Sequence, residues 1–226
     1  MQTTTLTPNL TQLTRFRFVN AFLVREDDGF TLIDTTVGGG AAGAILAAAE
    51  RAGGAIRRIA LTHGHADHAG GLDGLKARLG DSAEVLIPEL DARILAGEHV
   101  VEGKLPGGWP KVATAADVRL AAGERVGSLE VVATPGHSPG HVSFRDTRDG
   151  SLLAGDVFTT YGGVAVSNHF HLRFPFAAMA TWDTAKDLES ARRLRALEPA
   201  LLAVGHGPAL RAPGPAIDRA IARAGR

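Results

Sequence analysis

The stretch Thr62-His63-Gly64-His65-Ala66-Asp67-His68-Ala69-Gly70-Gly71 places three imidazoles and a carboxylate within six residues. Residues 56–62, just upstream, form an apolar run short enough for a buried strand, so the cluster opens on the turn that leaves it. His63 and His65 stand two apart on that turn, where both rings can face one point. Asp67 and His68 fall at the start of a helix expected over 66–79. Neutral imidazole and carboxylate are the donors suited to zinc and its divalent neighbours. A lone turn histidine is best read as solvated polar surface, but four ligand types this closely packed are not.

Three further strand exits repeat the pattern. The runs at 131–137, 152–156 and 201–207 are each an apolar strand followed by glycine and then by His137, Asp156 or His206. Glycine allows the sharp departure and close backbone approach that a side chain would block. In open α/β sheets, ligands gather beyond the carboxyl ends of strands. Seven donors exceed the needs of one tetrahedral ion and suit two.

Around these exits the chain alternates strand and helix. Residues 16–24 and 30–33 read as a hairpin about Glu26-Asp27-Asp28-Gly29. A helix is expected over 41–52, a strand over 84–87, and a helix from Pro88 to about 96, with Pro88 at its first position. Residues 97–116, rich in Gly and Pro around Trp109, read as loop. Strands follow at 118–120, 129–133, 141–145 and 151–154, then a segment, 157–181, without a clear period. A helix over 182–197, a strand over 200–204 and a helix over 215–224 complete an α/β pattern. No polar linker interrupts it, which favours one domain over 1–226.

Composition limits the function. With 226 residues, 45% hydrophobic and 21% charged, the chain is a globular protein. Acidic and basic residues balance at 24 each, leaving no basic footprint for nucleic acid or an anionic membrane. The absence of cysteine excludes disulfides, thiol nucleophiles, iron–sulfur clusters and cysteine-ligated zinc. Residues 1–14 lack the basic start and apolar run of a signal peptide, and no run approaches 18 apolar residues. The expectation is a cytoplasmic protein with a small-molecule substrate and no nucleic-acid or membrane partner. A homodimer is left open.

His-x-His-x-Asp-His followed downstream by His, Asp and His resembles the metallo-β-lactamase superfamily of metallohydrolases over nearly the whole length. The resemblance implies an α/β fold, an αββα sandwich of two mixed β-sheets flanked by helices. It implies a first metal on His63, His65 and His137, a second on Asp67, His68 and His206, and Asp156 bridging both. Two divalent ions are expected, Zn2+ first, with Mn2+, Fe2+ and Co2+ also suited to these donors. Asp34 looks like the family's acidic residue supporting the ligand loop; a plain turn Asp is the alternative. The implied activity is attack on an ester, lactone or thioester carbonyl by a metal-bridging hydroxide, with Asp67 or Asp156 as the catalytic residue that relays a proton.

Within the superfamily, glyoxalase II-like thioesterases and lactonase-like enzymes fit best. Against the former, no basic cluster for glutathione carboxylates stands after His206. A mononuclear iron enzyme similar to persulfide dioxygenases, using His63, His137 and Asp156, and a catalytically silent metal-binding domain are the alternatives. Four histidines lie outside the ligand set. His141 reads as a residue that orients the loop by hydrogen bonding, and His99 as surface. His169 and His171 flank Phe170 in 157–181. The apolar content of that segment, including Phe158, Phe174, Phe176 and Met179, suits one wall of a substrate pocket and favours an apolar substrate. Tyr161 and His169 are its candidate substrate contacts, and 97–116 is the next place to look.

Overall fold

Antiparallel hairpins start the chain. β1 (Gln2–Thr7), β2 (Leu10–Arg15), β3 (Val19–Glu26) and β4 (Gly29–Ile33) pair in sequence order. α1 (Ala41–Arg51) then carries the chain to β5 (Ile56–Ala60), which lies parallel to β4. α2 (Ala66–Ala69) and α3 (Leu72–Leu79) precede β6 (Glu84–Pro88), and α4 (Glu89–Leu95) precedes β7 (Val118–Leu120). The result is one mixed seven-stranded sheet in the order β1-β2-β3-β4-β5-β6-β7. Ile45 and Ala48 of α1 and Leu72 and Leu75 of α3 pack with Leu23, Leu32 and Ile59 of the sheet. Each such fully buried Leu or Ile contributes roughly 1.5–3 kcal/mol.

A second mixed sheet, order β15-β14-β11-β10-β9-β8, is built from β8 (Arg125–Val126), β9 (Leu129–Ala133), β10 (Val142–Asp146), β11 (Ser151–Leu153), β14 (Leu201–Ala203) and β15 (Leu210–Arg211). Only β11 and β14 pair in parallel. β12 (Phe158–Thr159) and β13 (Ala165–Val166) form a separate two-stranded ribbon. Ala191 and Leu194 of α6 (Thr184–Ala196) and Ile217 and Ala220 of α7 (Gly214–Ala224) cover Leu152, Val157, Phe158 and Leu202. The short α5 (Phe176–Ala180) precedes α6.

This computed structural model describes residues 1–226, in two compact units: Met1–His99 with Gly108–Leu120, and Val100–Gly107 with Ala121–Arg226. Each unit holds one of the two sheets. No helix is long and apolar enough to cross a membrane.

The structure changes several expectations. The hairpin of β1 and β2 precedes the expected first strand, which begins at Val19; Phe16 and Arg17 instead turn the chain, with φ of 50° and 71°. The helix expected over 66–79 breaks at Gly70-Gly71. There Gly71 N donates to Thr36 O and Thr35 Oγ1, and a Cβ on Gly71 would stand 2.4 Å from Thr35 O. The loop after β4 therefore occupies the space that a continuous helix would need. Pro88 ends β6 instead of opening α4. Residues 157–181 contain β12, β13 and α5, all too short to show a period.

α6 starts one residue after Asp183, whose Oδ1 accepts the N–H groups of Ala185 and Lys186 at 3.1 and 3.0 Å. Asp183→Ala should lower the unfolding free energy by about 1 kcal/mol, read by urea denaturation at neutral pH; an unchanged midpoint would show that this cap does not hold the helix.

Candidate metal centre

In the first unit, the donors are arranged around a buried carboxylate. Asp34 leaves β4 with φ 61°, a left-handed backbone unusual for a residue with a Cβ. Its Oδ1 accepts Thr62 N at 2.8 Å, and its carboxylate also accepts the Thr62 hydroxyl at 2.9 Å. Its Oδ2 stands 2.8 Å from His68 Nδ1, which donates to it. Because the Thr62 hydroxyl proton is directed to Asp34, Thr62 Oγ1 accepts the Nδ1–H of His63 at 3.0 Å. Both histidines are thereby held as Nδ1–H tautomers, with Nε2 carrying the lone pair. His63 Nε2 and His65 Nδ1 lie 3.1 Å apart, and all three rings are buried. Asp67, on the first turn of α2, is 37% exposed, with Oδ2 3.9 Å from His68 Nε2.

The ligand loop is also held from outside. Gly64 N donates to the buried Asp91 Oδ2 at 2.8 Å, and Ala66 N to Gly108 O at 2.7 Å. The Trp109 ring stands edge-on to His65, centroids 4.9 Å apart. A Cβ at Gly64 would meet Trp109 Cζ3 at 2.5 Å, so only glycine admits the indole here.

In the second unit, Asp156 Oδ2 lies 3.6 Å from His137 Nε2 and 3.0 Å from His206 Nε2. Thr181 Oγ1 gives its proton to main-chain carbonyls of Ala177 or Ser167, so it accepts the Nδ1–H of His137 at 3.1 Å. That again leaves Nε2 with the lone pair. His141 serves the main chain: its Nε2 accepts Asp156 N–H at 3.0 Å, and its Nδ1–H therefore donates to Thr134 Oγ1 at 2.8 Å. His141 thus orients the Asp156 loop, as its place in the sequence suggests. Tyr161 is 41% exposed, with its ring 5.7 Å from Phe174, which in turn lies 4.8 Å from His206. His169 and His99 are exposed.

The donors fit divalent ions. Ligands about 2.1 Å from one tetrahedral ion stand roughly 3.4 Å apart. The three pairs at 3.0, 3.1 and 3.6 Å bracket that spacing.

Sequence reasoning did not single out Asp91, Thr181 or Asp187. Asp187, in α6, is fully buried and its backbone packs against Gly136. Burial pushes its carboxyl well above the ordinary 3.8; the Asn168 N–H opposes this, and Asp156 and Asp183 add to it. Acids four residues into a helix look like surface residues, and nothing local marks them as buried.

Imidazole and carboxylate donors at the carboxyl ends of strands, in mixed sheets flanked by helices, define an α/β metal-binding protein. Residues 14–206 match the family described as the Metallo-beta-lactamase superfamily. The chain belongs to that superfamily. It is 42% identical over 212 residues to the uncharacterized protein YobT of Bacillus subtilis (strain 168), covering 91% of this chain and 90% of that one. It is 33% identical to a hydroxyacylglutathione hydrolase of Rhodospirillum rubrum over 68% of this chain, and spans about half of that enzyme's length, 48%. The solved structure of TTHA1623 in a di-iron-bound form superposes with a TM-score of 0.66 at 27% identity, covering 95% of this chain and 96% of that one.

Two outcomes test this arrangement. Gly64→Ala should displace Trp109 and weaken metal affinity about tenfold, read by competition with a chromogenic chelator, with an unchanged far-ultraviolet spectrum; unaltered affinity would show that the indole does not hold the loop. The second concerns pH. With the folded pKa of Asp187 raised, the native chain keeps a proton that the unfolded chain releases above 3.8. Stability is therefore lost as pH rises from that value toward the folded pKa. Asp187→Asn removes this slope, so its melting temperature relative to the parent should climb as pH rises above the unfolded value of 3.8. A constant difference would mean that Asp187 does not hold its proton in the fold.

Proposed function

We propose that the chain is a metal-dependent hydrolase of ester, lactone or thioester carbonyls, acting on a small molecule with one domain spanning residues 1–226. In this reading His63, His65 and His137 hold one divalent ion, Asp67, His68 and His206 a second, and Asp156 is shared, with Zn2+ the first expectation. One observation carries it. Buried hydrogen bonds fix His63, His68 and His137 as Nδ1–H tautomers, so that the lone pair of each stands on Nε2, the atom turned toward the other candidate donors. The hydroxyacylglutathione hydrolases among the relatives and the di-iron form of TTHA1623 support hydrolysis and two ions respectively.

Bound divalent ions supply Lewis acidity that polarises a carbonyl and brings the pKa of water toward neutrality. The residues supply position and proton transfer. Asp34 holds His68, and through Thr62 also His63. His141 fixes the main chain at Asp156. Asp67 is the ligand carboxylate most open to solvent and suits carriage of a proton to the leaving group. Asp156, 4% exposed, is a fixed ligand.

Elemental analysis of active protein should give two metal ions per chain, and a panel of esters, lactones and thioesters should yield turnover that a chelator abolishes. Asp156→Asn should reduce kcat/KM more than about 100-fold and lower metal content. One ion per chain in fully active protein would sink the binuclear reading, and full activity after exhaustive chelation the metal-dependent one.

A further inference from the structure

Segment 157–181 contains no acidic residue, yet His169, His171 and Arg173 fall within five residues of it. Arg173 Nη1 donates to Gly162 O at 3.3 Å, and its stem crosses the face of Gly162, where a Cβ would come within 2.7 Å. Two residues further on, Val164 O accepts Nη2 of Arg223, from the last turn of α7, at 2.8 Å. The turn 162–164 thus gathers two guanidiniums from parts of the chain fifty residues apart in sequence. His171 is half-buried, with Nδ1 making no hydrogen bond; burial, then Arg223, Arg173 and His169, holds its pKa below the ordinary imidazole value. Neither guanidinium is paired with a carboxylate. Two guanidiniums brought to one turn without a counter-ion repel, and a bound anion would relieve that repulsion.

The same segment is apolar on its outside. Phe170, Leu172, Phe176 and Met179 are 59%, 83%, 66% and 69% exposed. Phe176 leads inward to Phe174 at 5.7 Å, and Phe174 to His206 at 4.8 Å. The segment is tied to that histidine, because His206 O accepts Thr160 N at 3.0 Å and Thr159 Oγ1 at 3.1 Å. Arg173 is next to Phe174 in sequence and Gly162 next to Tyr161, so the basic cluster adjoins the aromatic row.

We propose that His169, His171, Arg173 and Arg223 form an anion-recognition site for an amphipathic ligand, whose carboxylate, sulfate or phosphate they take while its apolar body lies along Tyr161, Phe174 and Phe176. That this ligand is the substrate rests on the hydrolase reading above; the anion site itself does not. Specificity would then be for an apolar acyl group carrying a second, anionic end, in place of a purely apolar one.

Calorimetric titration of the full chain as purified, with octyl sulfate below its micellar concentration, inorganic sulfate and octyl glucoside, tests the site. Octyl sulfate should bind about tenfold more tightly than either control. Arg173→Gln with Arg223→Gln should erase the preference for the anion but keep octyl glucoside binding. If that pair unfolds, Arg173→Gln alone, at an exposed position, should still weaken octyl sulfate. Leu172→Ala with Phe176→Ala should flatten the difference between butyl and octyl sulfate. Equal affinities untouched by the arginine changes would overturn the proposal, as would binding only to phosphatidylglycerol vesicles. In a second arm, p-nitrophenyl octanoate is compared with the mono-p-nitrophenyl ester of suberic acid. The carboxylate-bearing ester should have the lower KM, an advantage lost in the arginine variants. If neither ester is turned over and the wider panel is also inert, the hydrolase reading fails, while the titration still decides the anion site.

Discussion

The buried Asp34 carboxylate is the constraint on which the first unit's donor set depends. A desolvated carboxylate costs several kcal/mol unless its oxygens are hydrogen-bonded, and here they are met by Thr62 N, the Thr62 hydroxyl and His68 Nδ1. Charge-assisted bonds of this kind are worth about 1.5–3 kcal/mol each, enough to hold Asp34 and Thr36 in left-handed backbone that side chains disfavour. That backbone directs the loop after β4 against Gly70 and Gly71, where the helix breaks. The break gives α2 its own direction, so Asp67 and His68 leave the ligand loop on a four-residue helix. One carboxylate thus sets the tautomers of two histidines and the course of the chain carrying the remaining donors.

The second unit reaches the same end without a buried charge. Its supports are hydroxyls: Thr181 behind His137, Thr134 behind His141, and Ser143 3.0 Å from Thr134. A hydroxyl gives one proton and accepts another, so a fixed acceptor on one side decides the tautomer on the other. This works only where the chain is already held: Thr134, His141 and Ser143 sit on or beside the ends of β9 and β10, and Thr181 ends α5. The Asp156 carboxylate stands instead beside the Nε2 atoms of His206 and His137, at 3.0 and 3.6 Å. Of the other buried acids here, Asp146 is paired with Arg148, whereas burial pushes the Asp187 carboxyl well above its ordinary value.

What could be read from the sequence follows from range. Among the candidate donors, His63, His137, Asp156 and His206 stand out in the sequence because each follows an apolar strand by three or four residues and has a glycine beside it. α1, β9 and α7 were legible because their apolar periods run long enough to exclude the other element. The β1–β2 hairpin was not, since β1 is Thr-rich and mostly exposed and so lacks an apolar alternation. The two-residue strands carry no period at all. Asp91, which meets Gly64 across 27 positions, and Arg223, which meets Val164 across 59, are contacts that only tertiary structure makes visible. No basic cluster is evident along the sequence after His206, whereas the fold brings Arg223 of α7 and Arg173 of the 157–181 segment to the same turn, 162–164.

That division also separates what is shared with relatives from what belongs to this chain. The candidate metal donors follow strand ends and are braced by buried hydrogen bonds, and they fall within the residues 14–206 that match the superfamily. The alignment leaves about half of such an enzyme unmatched, so likeness in the donor set does not carry its substrate with it. Recognition has to be argued from the side chains here that face outward near the donors, and those lie mainly on 157–181. This segment is tied to His206 at its start and to His137 through Thr181 at its end, yet it is apolar and basic on its free side. A segment anchored at both ends by the donors, with a surface unlike either sheet, is where a change of sequence alters specificity at least cost to metal binding.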